Sequence, residues 1–169
     1  KTVSKSVWLP SKPIRWLFGT DNIAHQYINP GEKVLDVGSG SGVSLLEIQK
    51  LGGYAYGIEP DPNAAKIAKK LKLNLHTGFI TDYPFPDQKF DTITASQVLE
   101  HEPDPRDFLT AALAKLKPNG RLIFSMPNFN SIYRKLYDRR WVNWHIPYHQ
   151  NFFTLRSVEL LAKKSGFKV

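Results

Sequence analysis

The stretch Val34-Leu35-Asp36-Val37-Gly38-Ser39-Gly40-Ser41-Gly42 decides the fold. A short apolar run with strand character, Lys33 to Val37, hands over through three glycines at alternate positions to Val43 to Leu51. There apolar residues recur with helical period until Gly52-Gly53 stops them. Glycine at such a handover leaves no Cβ between the backbone and a bound group, and the following helix offers free N–H groups. A tight strand-to-helix turn uses glycine equally well, so the loop by itself leaves both readings open.

The alternation continues outward from the loop. Strands are predicted at Ala55 to Ile58, Leu73 to Thr77, Phe90 to Ala95 and Arg121 to Met126. Helices are predicted at Pro62 to Leu71 and at Pro105 to Lys117, the latter followed by a Pro118-Asn119-Gly120 turn. Strands and helices in regular alternation with short connections predict an α/β fold with a doubly wound, mostly parallel sheet. Residues 1–30 read as an N-terminal helical flank with Trp16, Leu17, Phe18, Ile23 and Tyr27, closed by the Pro30-Gly31 turn. Residues 31–127 form the core that carries the loop, and 128–153 an aromatic, basic insertion on the substrate side. Residues 154–169 comprise a helix, Leu155 to Ser165, and the start of a strand at Phe167-Lys168-Val169 that is cut off, so further C-terminal strands are expected in a longer protein.

A chain of 169 residues suits one domain. Its 41% apolar and 22% charged residues are near globular averages, and no apolar run is long enough to span a bilayer. The absence of cysteine excludes disulfides, thiolate metal sites and a cysteine nucleophile. The first ten residues lack the pattern of a signal peptide, which makes the cytoplasm the default expectation. A net charge of +8 raises the question of a polyanionic partner. The positive residues are spread over Lys66 to Lys72, Lys115 to Arg121, Arg134 to Arg140 and Arg156 to Lys168, mostly on what read as solvated helix faces, which weakens that reading.

Two details of the loop argue against a nicotinamide dinucleotide. The dinucleotide fingerprint needs glycine three positions after its second glycine, where this chain has Val43. Asp36 stands close to where a pyrophosphate would lie, and its carboxylate favours a cationic ligand instead. Roughly twenty residues after the loop, Gly57-Ile58-Glu59-Pro60-Asp61 places an acid at the end of the second strand, where it can accept from both hydroxyls of a ribose. The alternative for Glu59 is a cap on the helix starting near Pro62, a role for which Asp61 is better placed.

These residues resemble the class I S-adenosylmethionine-dependent methyltransferases. Pro84-Phe85-Pro86-Asp87-Gln88-Lys89-Phe90-Asp91 with Val98-Leu99-Glu100-His101 is similar to that family's fourth-strand region. Leu116-Lys117-Pro118-Asn119-Gly120-Arg121-Leu122 is similar to its fifth-strand turn. The later Pro147-Tyr148-His149, Phe153-Thr154 and Ser165-Gly166-Phe167 resemble its small-molecule branch. The resemblance implies S-adenosylmethionine as cofactor, with Gly38 and Gly40 beneath its methionine part and Glu59 on its ribose. Asp36, Ser39 and Pro60 belong to the same set. Many relatives carry an acid after the third-strand glycine for the adenine amino group; this chain has Phe79, so Phe79, Ile80 and Thr81 are expected to hold adenine by stacking or backbone contacts. Ser96 and Gln97 are expected to face the methyl group, unless they cap the next turn.

Methyl transfer from a sulfonium is an in-line displacement, and positioning can supply most of the acceleration. If the acceptor is a hydroxyl, a histidine can take its proton near neutral pH. His149 and His101 are the candidate catalytic residues, with His145 a further possibility; a helix-start role bonded to local backbone is the alternative for His101. Gln97-Val98-Leu99-Glu100-His101 with His149 is also similar to the metal-binding pattern of small-RNA end methyltransferases and of some quinone-pathway O-methyltransferases. Their first ligand is an acid where this chain has Gln97, and no metal is expected. Trp141, Trp144, Tyr133, Tyr137 and Tyr148 form either an apolar acceptor pocket or a cover for the sheet edge. The expected activity is methylation on oxygen of a small molecule or a lipid- or glycan-linked intermediate. An RNA methyltransferase and a non-catalytic cofactor-binding module are the alternatives.

Overall fold

The computed structural model describes residues 27–82 and 89–169. Most of the expected N-terminal flank and of the Pro84 to Lys89 motif lie outside the described residues. Five parallel strands form one sheet: β1 (Lys33–Val37), β2 (Tyr54–Glu59), β3 (Leu75–Thr77), β4 (Phe90–Ser96) and β5 (Leu116–Ser125), in the spatial order β3-β2-β1-β4-β5. The helices are α1 (Val43–Lys50), α2 (Pro62–Lys70), α3 (Pro105–Lys115), α4 (Ile132–Tyr137) and α5 (Leu155–Lys164).

Alternation along the strands sorts the core into two layers. On one face Val34 and Ala55 pack with Leu45 and Ile48 of α1. On the other, Leu35, Val37 and Ile93 pack with Phe108, Leu109 and Ala112 of α3 and Val158 of α5. A central strand buried on both faces reads as a continuous apolar run, as β1 does. Its one buried polar residue, Asp36, accepts hydrogen bonds from the hydroxyls of Thr94 on β4, at 2.5 Å, and of Ser44 on α1.

Local signals set several boundaries. Asp61 caps α2 by accepting from the Asn63 N–H at 2.8 Å, and Asp104 caps α3 by accepting from the Arg106 N–H at 2.8 Å; a proline follows each cap at the first helical position. Three predicted boundaries shift. Strand β3 begins at Leu75 rather than Leu73, whose side chain is close to Gly42 instead. Helix α3 stops at Lys115, because Leu116 pairs with Phe90 and begins β5. The Pro118-Asn119-Gly120 turn is accommodated as an irregularity within β5, with Asn119 at φ 64°. Phe167 to Val169 form no strand.

Candidate active site

Chain progression reverses between β1 and β4, so the crevice beyond their carboxyl ends is the topological switch point of the sheet, where doubly wound folds bind ligands. The glycine loop leaves β1 there. Gly38 N–H donates to Ile58 O at 2.9 Å, which turns the loop across the end of β2. Gly38 has φ 70°, and a Cβ on it would lie 2.6 Å from Val98 Cγ2. Gly40 has φ 53°, but a Cβ on it would meet nothing within 4 Å. The protein therefore needs glycine at position 38 for its own packing, whereas the space over Gly40 is left open.

Glu59 ties this loop to the next unit. Its Oε2 accepts from Gly40 N–H and its Oε1 from Asp61 N–H, both at 3.0 Å. Capping of α2 falls to Asp61, which leaves the Glu59 carboxylate at the mouth of the crevice. Ser39 is buried, and its hydroxyl has no hydrogen-bond partner among the described residues.

A cleft of about 290 Å³ opens over the strand ends. Of the sequence-predicted cofactor residues, Gly38, Glu59, Pro60, Phe79, Ile80 and Gln97 line it, together with His101. Asp36, Ser39, Gly40, Thr81 and Ser96 do not. The Asp36 carboxylate is directed to the Thr94 and Ser44 hydroxyls, and the Ser96 hydroxyl pairs with that of Ser125 at 2.9 Å. Val37, Ile58, Gly78, Val98, Glu102 and Pro103 complete the wall and were missed by sequence reasoning. Gly78, a glycine at a strand end, carried a usable signal; the others are defined by the fold. Gln97 adopts the left-handed conformation, φ 56°, at the end of β4.

His101 and His149, 48 positions apart in the sequence, meet with ring centroids 4.7 Å apart. His101 Nδ1 lies 2.9 Å from Tyr148 O, and His149 Nδ1 lies 2.8 Å from Asn143 O. A carbonyl only accepts, so each Nδ1 carries a hydrogen, and in the neutral form of either ring the lone pair sits on Nε2. Burial pulls the His149 pKa below its ordinary value, with nearby His101 and His145 acting in the same direction against the bond to Asn143. Burial pushes the carboxyls of Glu100 and Glu102 up.

The aromatic insertion divides in two. Trp141 is buried, and its ring stands 6.4 Å from Phe129 and 5.7 Å from Trp144, which in turn stands 5.2 Å from Phe152. These rings form a small core of the insertion itself. Arg134 covers the Phe129 ring at 4.2 Å, which accounts for one of the basic residues. Tyr137 and Tyr148 are exposed.

The family model of a methyltransferase domain matches residues 17–169. The chain belongs to that family. With its parallel sheet and switch-point cleft, this methyltransferase domain has the class I, Rossmann-like fold. Over 148 residues it is 32% identical to the ubiquinone biosynthesis O-methyltransferase of Pasteurella multocida, covering 75% of this chain and 61% of the relative. Over 104 residues it is 36% identical to the mitochondrial ubiquinone biosynthesis O-methyltransferase of Schizosaccharomyces pombe, covering 56% of this chain and 38% of the relative. The methyltransferase thus spans less than two thirds of either relative's length. A Thermotoga maritima structure described as a possible histamine N-methyltransferase superposes with a TM-score of 0.73 at 23% identity, covering 92% of this chain and 72% of that one, a likeness of fold. Among the described residues, no helix is long and apolar enough to cross a membrane.

Proposed function

We propose that this methyltransferase binds S-adenosylmethionine in the switch-point cleft and methylates an oxygen of a small molecule. One observation carries the reading: the Glu59 carboxylate is fixed by Gly40 N–H at 3.0 Å on one side of the cleft, and His101 lines the other side beside His149. The residues fit the cofactor. The open space over Gly40 admits a group against the backbone, the buried Ser39 hydroxyl lacks a partner, and exposed Phe79 offers an aromatic face at the cleft wall. Glu59 would accept from the ribose hydroxyls and Gly38 would sit beneath the methionine part. Pro60, Phe79 and Ile80 would enclose the adenine, while Gln97 would face the methionine chain. Asp36, Ser39, Thr81 and Ser96 support these positions from behind.

When bound, S-adenosylmethionine supplies a methyl group activated by the sulfonium. The protein's part is to hold donor and acceptor in line and to let the acceptor's proton leave. That proton departs where His101 and His149 stand, each imidazole keeping an Nε2 lone pair on the acceptor side of its Nδ1 bond.

The relatives' names, ubiquinone biosynthesis O-methyltransferases, favour a hydroxylated ring as acceptor, including one attached to a lipid tail. An RNA substrate receives less support. Arg121 is paired with Glu32 at 2.7 Å and Lys117 with Asp91 at 2.8 Å, so part of the positive charge is spent within the fold. The test is transfer of labelled methyl to a panel of catechols, with and without an isoprenoid tail, beside RNA. Label on a catechol is the expected result. Label on RNA alone, or on no acceptor, would overturn the proposal.

A further inference from the structure

The two walls of the switch-point cleft differ in chemistry. On the side of β2 and β3, the lining side chains beyond Glu59 are apolar: Ile58, Pro60, Phe79 and Ile80. Gly78 N–H donates to Glu59 O at 3.0 Å, which sets exposed Phe79 beside the end of β2. A purine joined to a ribose at Glu59 therefore falls against Phe79 and Ile80. Their side chains can cover a ring face, but none can hydrogen-bond the ring's edge.

The polar side chains of the opposite wall are Gln97, His101 and Glu102. Gln97 is drawn away from β3, because its N–H donates to Ser125 O of β5 at 2.8 Å. His101 is held toward the insertion by the bond from its Nδ1 to Tyr148 O. Glu102 is placed differently. It lies just ahead of Asp104, the cap of α3, and α3 packs against the Ile80–Asp82 turn, so Glu102 stands toward the Ile80 end of the cleft. Its backbone is fixed, since the Asn151 side chain donates to its carbonyl oxygen at 2.7 Å. Its half-buried carboxylate accepts no hydrogen bond from any described residue, and only the electrostatic pull of His101 acts on it. Both carboxylate oxygens of Glu59, by contrast, already accept from backbone N–H groups. A partly desolvated acceptor that lines a ligand cleft without a protein partner is free to read a donor on the ligand.

We propose that Glu102 selects the base of the cofactor, its carboxylate accepting a hydrogen bond from the 6-amino group of the purine. The inference rests on the cofactor site proposed above and assigns the edge contact that its apolar wall leaves open. Pro60, Phe79 and Ile80 supply contact area that any purine can use, and Glu102 supplies the preference for adenine. A purine with hydrogen at position 6 offers no donor there and leaves the carboxylate unpaired, which is how a site built to hold a donor rejects an analogue without one.

The test compares S-adenosylhomocysteine with the analogue that carries hydrogen in place of the 6-amino group, each titrated calorimetrically into the full chain. The parent is expected to bind S-adenosylhomocysteine more tightly than the analogue by roughly tenfold or more. Glu102→Val should weaken S-adenosylhomocysteine by about tenfold and leave the analogue within about threefold of its parent affinity, which also shows that the variant is folded. Glu102→Gln, whose amide oxygen still accepts, should keep most of the preference. Glu59→Ala should weaken both ligands alike. A parent without preference, a preference that survives Glu102→Val, or equal weakening of both ligands by Glu102→Val would overturn the role of Glu102 and leave the cofactor site standing. Failure of the parent to bind either ligand would overturn the cofactor site and this inference with it.

Discussion

A methyl group added at Gly38 would lie 2.6 Å from Val98 Cγ2, on a backbone with φ 70°. Gly38→Ala therefore has two costs. The left-handed conformation disfavours a Cβ by about 1–2 kcal/mol, and forcing a methyl into filled space adds about 1–3 kcal/mol, for a total of about 2–5 kcal/mol. Gly40→Ala, at φ 53° with nothing within 4 Å, incurs only the first cost, about 1–2 kcal/mol. Val98→Ala removes the atom that clashes. In a double-mutant cycle, Gly38→Ala and Val98→Ala should couple favourably by about 1–3 kcal/mol, while Gly40→Ala and Val98→Ala should be additive. Urea unfolding of the five single and double variants and the parent, followed by circular dichroism, measures each term. A Gly38→Ala cost no larger than that of Gly40→Ala, or coupling below about 0.5 kcal/mol, would refute the packing argument.

The other predictions concern buried polar groups and the loop. Burial raises the Glu100 pKa, so the folded state binds a proton more tightly than the unfolded chain does; this stabilisation is fully present below the ordinary value of 4.5 and is lost as pH rises through the raised one. With chelator present, Glu100→Gln should be more stable than the parent at pH 8 by about 1–3 kcal/mol, with the gap narrowing toward pH 5; a parent that is equally stable at pH 8 contradicts the burial of an ionised carboxylate. Thr94→Val removes a hydroxyl that donates to buried Asp36 at 2.5 Å and should cost about 1.5–3 kcal/mol in thermal or urea unfolding; a change under about 0.5 kcal/mol would show that Thr94 does not support Asp36. Gly40→Ala should retain a folded, cooperative unfolding transition yet lose S-adenosylmethionine affinity in calorimetry, because it fills the space left open over the loop; unchanged affinity would place the cofactor elsewhere.

The parts of this chain legible from sequence are those written in local signals. β1 runs from Lys33 to Val37, as its apolar run indicated, and α1 ends at Lys50, next to the Gly52-Gly53 stop. Asp61 rather than Glu59 caps α2, as the spacing to Pro62 suggested, and that leaves Glu59 at the cleft. The parts that were not legible depend on residues far apart in the chain. Asp36, two residues before the first glycine, reads from sequence as a carboxylate that favours a cationic ligand, but nothing local shows that it accepts from the hydroxyl of Thr94, 58 positions away on β4. Trp141 and Trp144 could line a pocket or cover an edge from sequence alone; Phe129 and Phe152 decide for a core of their own. Glu100, His101 and His149 are grouped in the sequence by their resemblance to a metal-binding pattern, but the backbone bonds from Gln150 and Asn151 that return the chain to Glu100 leave no side-chain signal.

Calorimetric titration of the chain with S-adenosylmethionine, repeated on Glu59→Ala, tests the central claim most directly. Glu59 both anchors Gly40 and stands where the ribose would lie, so the substitution should weaken binding at least tenfold, about 1.4 kcal/mol. No binding to the folded chain, or binding indifferent to Glu59→Ala, would contradict the assignment of the switch-point cleft as the cofactor site.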